Sequence, residues 1–205
     1  MNTQGTIFVV DDEPAVRDSL QVLLGTYGFA VETYSTAAAF LDRADKHRPG
    51  CLVADVRMPG MSGIELQREL SRRGNPMPVI VITGHGDVPM AVDALKAGAM
   101  DFLEKPLNDE ALVRSIRAAL ERDERSRAEG QELSRLGERM GRLTGREREV
   151  MMLIVDGLAN NAVAEKLGIS ARTVEHYRAN IMQKMEASSF AELVRMAIAL
   201  QGRDA

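Results

Sequence analysis

With 205 residues, 45% hydrophobic and 27% charged, the chain is long enough for two compact domains and too apolar for wholesale disorder. Apolar runs of only a handful of residues exclude a membrane span, and the start through Gly5 and Ile7-Phe8-Val9-Val10 has no basic region or long apolar stretch, so a cytoplasmic protein without a secretory signal is expected. The net charge of −4 is uneven: 13 Lys and Arg face 19 Asp and Glu through residue 124, 5 face 3 over 125–142, and 8 face 8 from 143 onward. Neither end is basic in bulk, so any nucleic-acid contact must come from local clustering.

Short apolar runs then alternate with amphipathic stretches. The runs at Ile7–Val10, Ala30–Tyr34, Cys51–Ala54, Val79–Ile82 and Asp101–Leu103 predict five strands. Between and after them, helical spacing covers roughly Pro14–Tyr27, Thr36–Lys46, Gly63–Arg73, Asp87–Ala97 and Asn108–Glu124. This alternation predicts an α/β domain over 5–124, a doubly wound five-stranded parallel sheet of flavodoxin-like type. Cys51 lies in an apolar run and reads as a buried thiol, while His47, His85 and His176 are too scattered for a zinc site. Residues 125–142 are highly charged and contain Gly130, Gly137 and Gly141, which predicts a partly helical linker; extension of the helix at Asn108–Glu124 stays open, with the glycines weighing against one rigid helix. From 143 to 205 the pattern is all helical, with segments at 144–157, 160–167, 171–185 and 189–201.

Polar residues at the strand ends carry the chemistry. Asp11 and Asp12 follow the first strand, Asp55 the third, Thr83 ends the fourth and Lys105 follows the fifth. In an open parallel sheet all these ends share one edge, where ligands bind. Three crowded carboxylates require a divalent cation and an ammonium to neutralise them, and Mg2+ suits such hard oxygen donors. Asp55 can then attack phosphorus through a carboxylate oxygen, with Thr83 and Lys105 stabilising the transferring oxygens.

The segments VVDDEP, DVRMPGMSG and VITGHGDVPMAVDALKAGAMDFLEKP resemble the receiver domains of bacterial response regulators, and TGHGDVPMAV with FLEKP is similar to the FixJ subfamily. The resemblance implies Asp55 as phosphoacceptor, Asp11 and Asp12 as acid-pocket residues, and the Arg57 backbone carbonyl as a further ligand of Mg2+. It also implies that Thr83 and Lys105 hold the phosphoryl group, and that Lys105–Pro106 is cis. Gly63 falls in the loop motif after the phosphoacceptor, where glycine permits unusual backbone angles. Phe102 matches the aromatic switch position that pairs with Thr83.

In the C-terminal part, a helix over 160–167, the Gly168-Ile169-Ser170 turn and a helix from about 171 form a helix-turn-helix. Its second helix suits the major groove. Arg172, Arg178 and Lys184 recur every six residues and point to phosphates, Glu175 and His176 to base edges, and Thr173 to a phosphate or the helix entry. TGREREV and SARTVEHYRANIMQKM resemble the LuxR-type domain of FixJ-like regulators. Asn161 stands where that family commonly has lysine, and His176-Tyr177 replaces a small residue followed by His, which turns Tyr177 inward.

The resemblance implies a sensor histidine kinase, promoter DNA, RNA polymerase and a phosphorylation-dependent homodimer as partners. It implies a transcriptional activator rather than an enzyme acting on other substrates. Two alternatives stand beside it. An aspartate-based phosphatase of haloacid dehalogenase type would use Asp11, but Asp11-Asp12-Glu13 lacks that family's Asp-x-Asp spacing. An RNA- or protein-binding output is the other, against which Tyr177 and Phe190 are the only aromatics for stacking after Leu143.

Overall fold

The five apolar runs become five parallel strands: β1 (Thr6–Val10), β2 (Ala30–Tyr34), β3 (Gly50–Asp55), β4 (Val79–Thr83) and β5 (Asp101–Glu104). The computed structural model describes residues 5–84 and 88–201; His85, Gly86 and Asp87, the last at the expected start of the fourth helix, lie outside them. Strand order is β2-β1-β3-β4-β5. The helices of this unit are α1 (Pro14–Thr26), α2 (Ala37–Leu41), α3 (Gly63–Arg72), α4 (Val88–Lys96) and the start of α5 (Asp109–Gly141).

Strand side chains alternate between two buried layers, which is why the strands read as continuous apolar runs. Phe8, Val10, Leu52, Ala54, Val79 and Val81 face one way, against Phe40 of α2, Leu66 and Leu70 of α3 and Ala94 of α4. Ile7, Val9, Cys51, Val53, Ile80 and Ile82 face the other, against Leu20 and Leu24 of α1 and Leu112, Ile116 and Ala119 of α5. Each fully buried Leu or Ile contributes about 2 kcal/mol. Cys51 is part of this packing, and burial pushes its thiol pKa well up.

Two elements differ from expectation. The helix expected over Thr36–Lys46 ends at Leu41. Asp45 turns its carboxylate onto the His47 N–H at 2.8 Å, and Arg48 N–H donates to the Asp45 carbonyl at 3.1 Å, so this polar stretch forms a turn instead. In the opposite direction, the expected partly helical linker is helical as far as Gly141, the last residue of α5. Its three glycines each weaken a helix by about 1 kcal/mol. Packing outweighs this: Leu112 and Ile116 are buried in the first unit and Leu136 in the second.

The chain divides into compact units at Arg127 and Ala128. In the second, α6 (Gly145–Val155), α7 (Asn160–Leu167), α8 (Ala171–Met185) and α9 (Phe190–Gln201) surround Val150, Met151, Ile154, Val163, Val174, Ile181, Met185 and Leu193. Gly168 closes α7 with φ of 65°, a left-handed value, and Ser170 caps α8 by accepting from the Thr173 N–H at 3.0 Å.

Candidate phosphoacceptor site and nucleic-acid interface

Strand register gathers the site. Val10 of β1 pairs with Ala54 of β3, so Asp11 and Asp55 leave neighbouring strands at the same level. Thr83 pairs with Glu104, which brings Lys105 one residue beyond β5 to that edge. Lys105 Nζ lies 2.8 Å from Asp11 Oδ2 and 2.7 Å from Asp55 Oδ1, so one ammonium bridges two carboxylates separated by 44 positions of sequence. Burial alone would lower the Lys105 pKa, but hydrogen bonds to Asp11 and Asp55 outweigh it and the net shift is upward.

Backbone groups take the remaining oxygens. Glu13 N–H donates to Asp11 Oδ1 at 2.9 Å, and Arg57 N–H donates to Asp55 Oδ2 at 2.6 Å. Asp11 and Asp55 are buried, while Asp12 is half-buried. Gly63 opens α3 directly beneath Asp55. Its φ is not positive, contrary to the expectation of an unusual backbone angle; a Cβ there would overlap the Asp55 carbonyl oxygen. Close approach, not backbone freedom, is what demands glycine. The Lys105–Pro106 peptide is cis.

Among the described residues, no three His, Cys, Asp or Glu side chains form a preassembled metal cluster. The donor chemistry nonetheless fits Mg2+, which takes one or two carboxylates and keeps waters. Asp11, Asp12, Asp55 and Lys105 together leave two net negative charges, matching one divalent cation. A surface hollow lined by Ala44, Lys46, Leu70 and Arg73 lies on the opposite, amino-terminal side of the sheet and shares no residue with this site.

Thr83 is fully buried and its hydroxyl lies 3.9 Å from the Met90 sulfur on α4. Phe102 on β5 is half-buried against the core layer that also contacts Met90. Met90 and Arg17, whose guanidinium contacts the β1–α1 loop, were not singled out by sequence reasoning. Neither carries a signal of its own beyond an ordinary position on an amphipathic helix.

On α8, Arg172, Glu175 and His176 are exposed, and Thr173 is half-buried with its hydroxyl 2.7 Å from that of Ser170. Tyr177 packs against the helical core, the expected inward position. Arg178 and Lys184 have other engagements. Arg178 Nη1 donates to Asn160 Oδ1 at 2.8 Å, and its guanidinium stacks 5.1 Å from the Phe190 ring centre. Lys184 Nζ donates to both oxygens of Glu147 at 2.9 and 2.7 Å. Glu147, only 3% exposed, also forms a capping box with Thr144 at the start of α6. The hydrogen bond from Lys184 and that from Thr144 hold the Glu147 pKa below its ordinary value. The pattern Thr144-x-x-Glu147 was a readable sign of that cap.

Family models match both parts of the chain: the response regulator receiver domain over residues 7–117 and the bacterial regulatory proteins of the luxR family over residues 142–197. The transcriptional regulatory protein FixJ of Azorhizobium caulinodans is 53% identical over 192 residues, covering 94% of this chain and 91% of that protein. The response regulator protein TodT of Pseudomonas putida is 44% identical over 190 residues, 93% of this chain and 84% of that protein. A solved structure of the response regulator StyR superposes with a TM-score of 0.85 at 44% identity, covering 95% of this chain and 98% of that one.

Proposed function

Because the chain belongs to the FixJ-type transcriptional response regulators, which join a receiver domain to a LuxR-type DNA-binding domain, we propose that Asp55 accepts a phosphoryl group from a sensor histidine kinase and that the modified protein binds promoter DNA as a dimer. The observation that carries this reading is the Lys105 ammonium bridging Asp11 and Asp55 at the carboxyl edge of the sheet.

A carboxylate oxygen of Asp55 attacks phosphorus in line, and the phosphoramidate nitrogen of the donor histidine leaves with the P–N electron pair. Asp11, Asp12, Asp55 and the Arg57 carbonyl would hold a magnesium ion, which would supply positive charge to offset that of the transferring phosphoryl group. Lys105 shifts its ammonium from the free carboxylate to a phosphoryl oxygen. The Thr83 hydroxyl donates to a second oxygen, giving up its contact with Met90. That movement reaches α4 through Met90 and lets Phe102 repack beside it. The chemistry is confined to the protein's own carboxylate, so it is not an enzyme acting on other substrates.

Val88, Val92 and Leu95 of α4 are 77%, 40% and 51% exposed and recur at one helical face, which suits a second copy once α4 shifts. In the effector, Arg172 contacts phosphate, Glu175 and His176 read base edges, and Thr173 stands at the helix entry. Arg178 and Lys184 hold α8 against α7, Phe190 and α6, so their part in DNA binding is to orient the helix. Few cations per copy make a monomer a weak, salt-sensitive binder, which is why a dimer is required. No helix among the described residues is long and apolar enough to cross a membrane. The reading is completed by a cytoplasmic location, contact with RNA polymerase and activation rather than repression of transcription.

Incubation with acetyl phosphate and Mg2+ tests the assignment. Wild-type protein is expected to gain one acid-stable, base-labile acyl phosphate, absent in Asp55→Asn and without added cation. Retained label in Asp55→Asn would overturn it.

A further inference from the structure

The β1–α1 loop presents both acid-pocket residues without a conventional cap, since Glu13 at the N-cap of α1 makes no side-chain capping hydrogen bond. Arg17, from the first turns of α1, supplies the restraint instead. Its Nη1 donates to the Asp11 carbonyl at 2.7 Å and to the Asp12 carbonyl at 3.0 Å. Those two carbonyls belong to the two peptide planes that flank the Asp12 Cα. With both planes held, the direction of the Asp12 Cα–Cβ bond is set, because planar peptides leave only φ and ψ free between them. Asp11 is held separately, its N–H donating to Tyr34 O at 3.2 Å and its carboxylate bonded to Lys105 and to Glu13 N–H. The Glu13 N–H lies in the plane after Asp12, so Asp11 Oδ1 also holds that plane; Arg17 reinforces it and holds the plane before Asp12.

We propose that Arg17 is a positioning residue for the divalent-cation site, fixing the Asp12 carboxylate toward the ion by clamping the two carbonyls around it. The inference rests on the cation reading given above. Groups outside the ligand sphere that orient ligands commonly contribute tenfold or more to metal affinity.

The proposal has an unusual sign, which makes it testable. Arg17 carries a positive charge beside a cation site, so on Coulombic grounds alone its removal should tighten Mg2+ binding. If positioning dominates, removal must weaken it. Isothermal titration of MgCl2 into the full-length chain measures this directly. Arg17→Met is expected to raise the Mg2+ dissociation constant about tenfold, and Arg17→Lys, which keeps one nitrogen donor of similar reach, to recover most of the loss. Binding by Arg17→Met as tight as wild type or tighter would overturn the proposal while leaving the cation site itself intact. Failure of the wild-type protein to bind Mg2+ would overturn the cation reading and this inference with it. Should Arg17→Met be too unstable to titrate, Arg17→Gln carries the same sign: weaker binding supports the clamp, and equal or tighter binding refutes it.

Discussion

Lys184→Met separates a structural lysine from a DNA-contacting one. In the folded domain Lys184 gives two hydrogen bonds to Glu147, whose side chain is 4% exposed. The substitution leaves that carboxylate buried with only its Thr144 cap bonds. Breaking a fully buried pair by removing one partner costs about 3–5 kcal/mol. Lys184 itself is 35% exposed, so water reaches its side of the pair and the expected loss is about 2 kcal/mol. Native-state hydrogen exchange on the full chain reads this locally: amides in α6 and α8 that open by unfolding of this unit should exchange about 30-fold faster. The same protein, kept cold and folded, is then titrated with DNA at several salt concentrations. If Lys184 is structural, the slope of log affinity against log salt is unchanged. A slope smaller by about 0.9, with exchange unaltered, would mean the lysine contacts phosphate and would refute the reasoning.

Gly63→Ala places a methyl group on the Asp55 carbonyl oxygen, which no rotamer change can relieve, so acetyl phosphate labelling should collapse alongside a stability loss of about 1–3 kcal/mol; normal labelling would contradict the close-approach account. Val92→Glu should leave Asp55 labelling intact and abolish phosphorylation-dependent dimerisation in sedimentation velocity, whereas an unchanged dimer would place the interface elsewhere. The folded-state pKa of Glu147 lies below its ordinary 4.5, so its contribution to stability is complete above that value and is lost as pH falls through the lower folded pKa. Acid titration of α6 and α8 exchange should therefore show a loss below about pH 4.5 that Lys184→Met shrinks; an identical profile in both proteins would contradict the pairing.

How much of this was legible beforehand varies by residue. The strands were recognisable because burial on both faces leaves uninterrupted apolar runs, and their observed ends fall within a residue or so of expectation. Convergence of Asp11, Asp55 and Lys105 followed from topology, since every parallel strand ends on the same edge. Helix ends were less legible. The spacing of Thr36–Lys46 suits a helix, yet the Asp45 carboxylate bonds its own neighbouring backbone. In α5 the glycines argued for interruption, while the buried Leu136 that holds the helix together belongs to a second unit that local propensity does not register. Lys184 shows a related limit. A six-residue interval of cations resembles a phosphate track, and only a tertiary contact with Glu147, 37 positions away, reveals its other partner.

The central claim is that phosphate on Asp55 controls the DNA-binding end of the same chain. Its most direct measurement captures genomic DNA fragments with the wild-type protein, then compares affinity for the enriched fragment before and after acetyl phosphate treatment, with Asp55→Asn alongside. Tighter binding on treatment of the wild type and no change in Asp55→Asn is the expected result. Equal affinity in all four samples, with Asp55 demonstrably phosphorylated, would contradict the account.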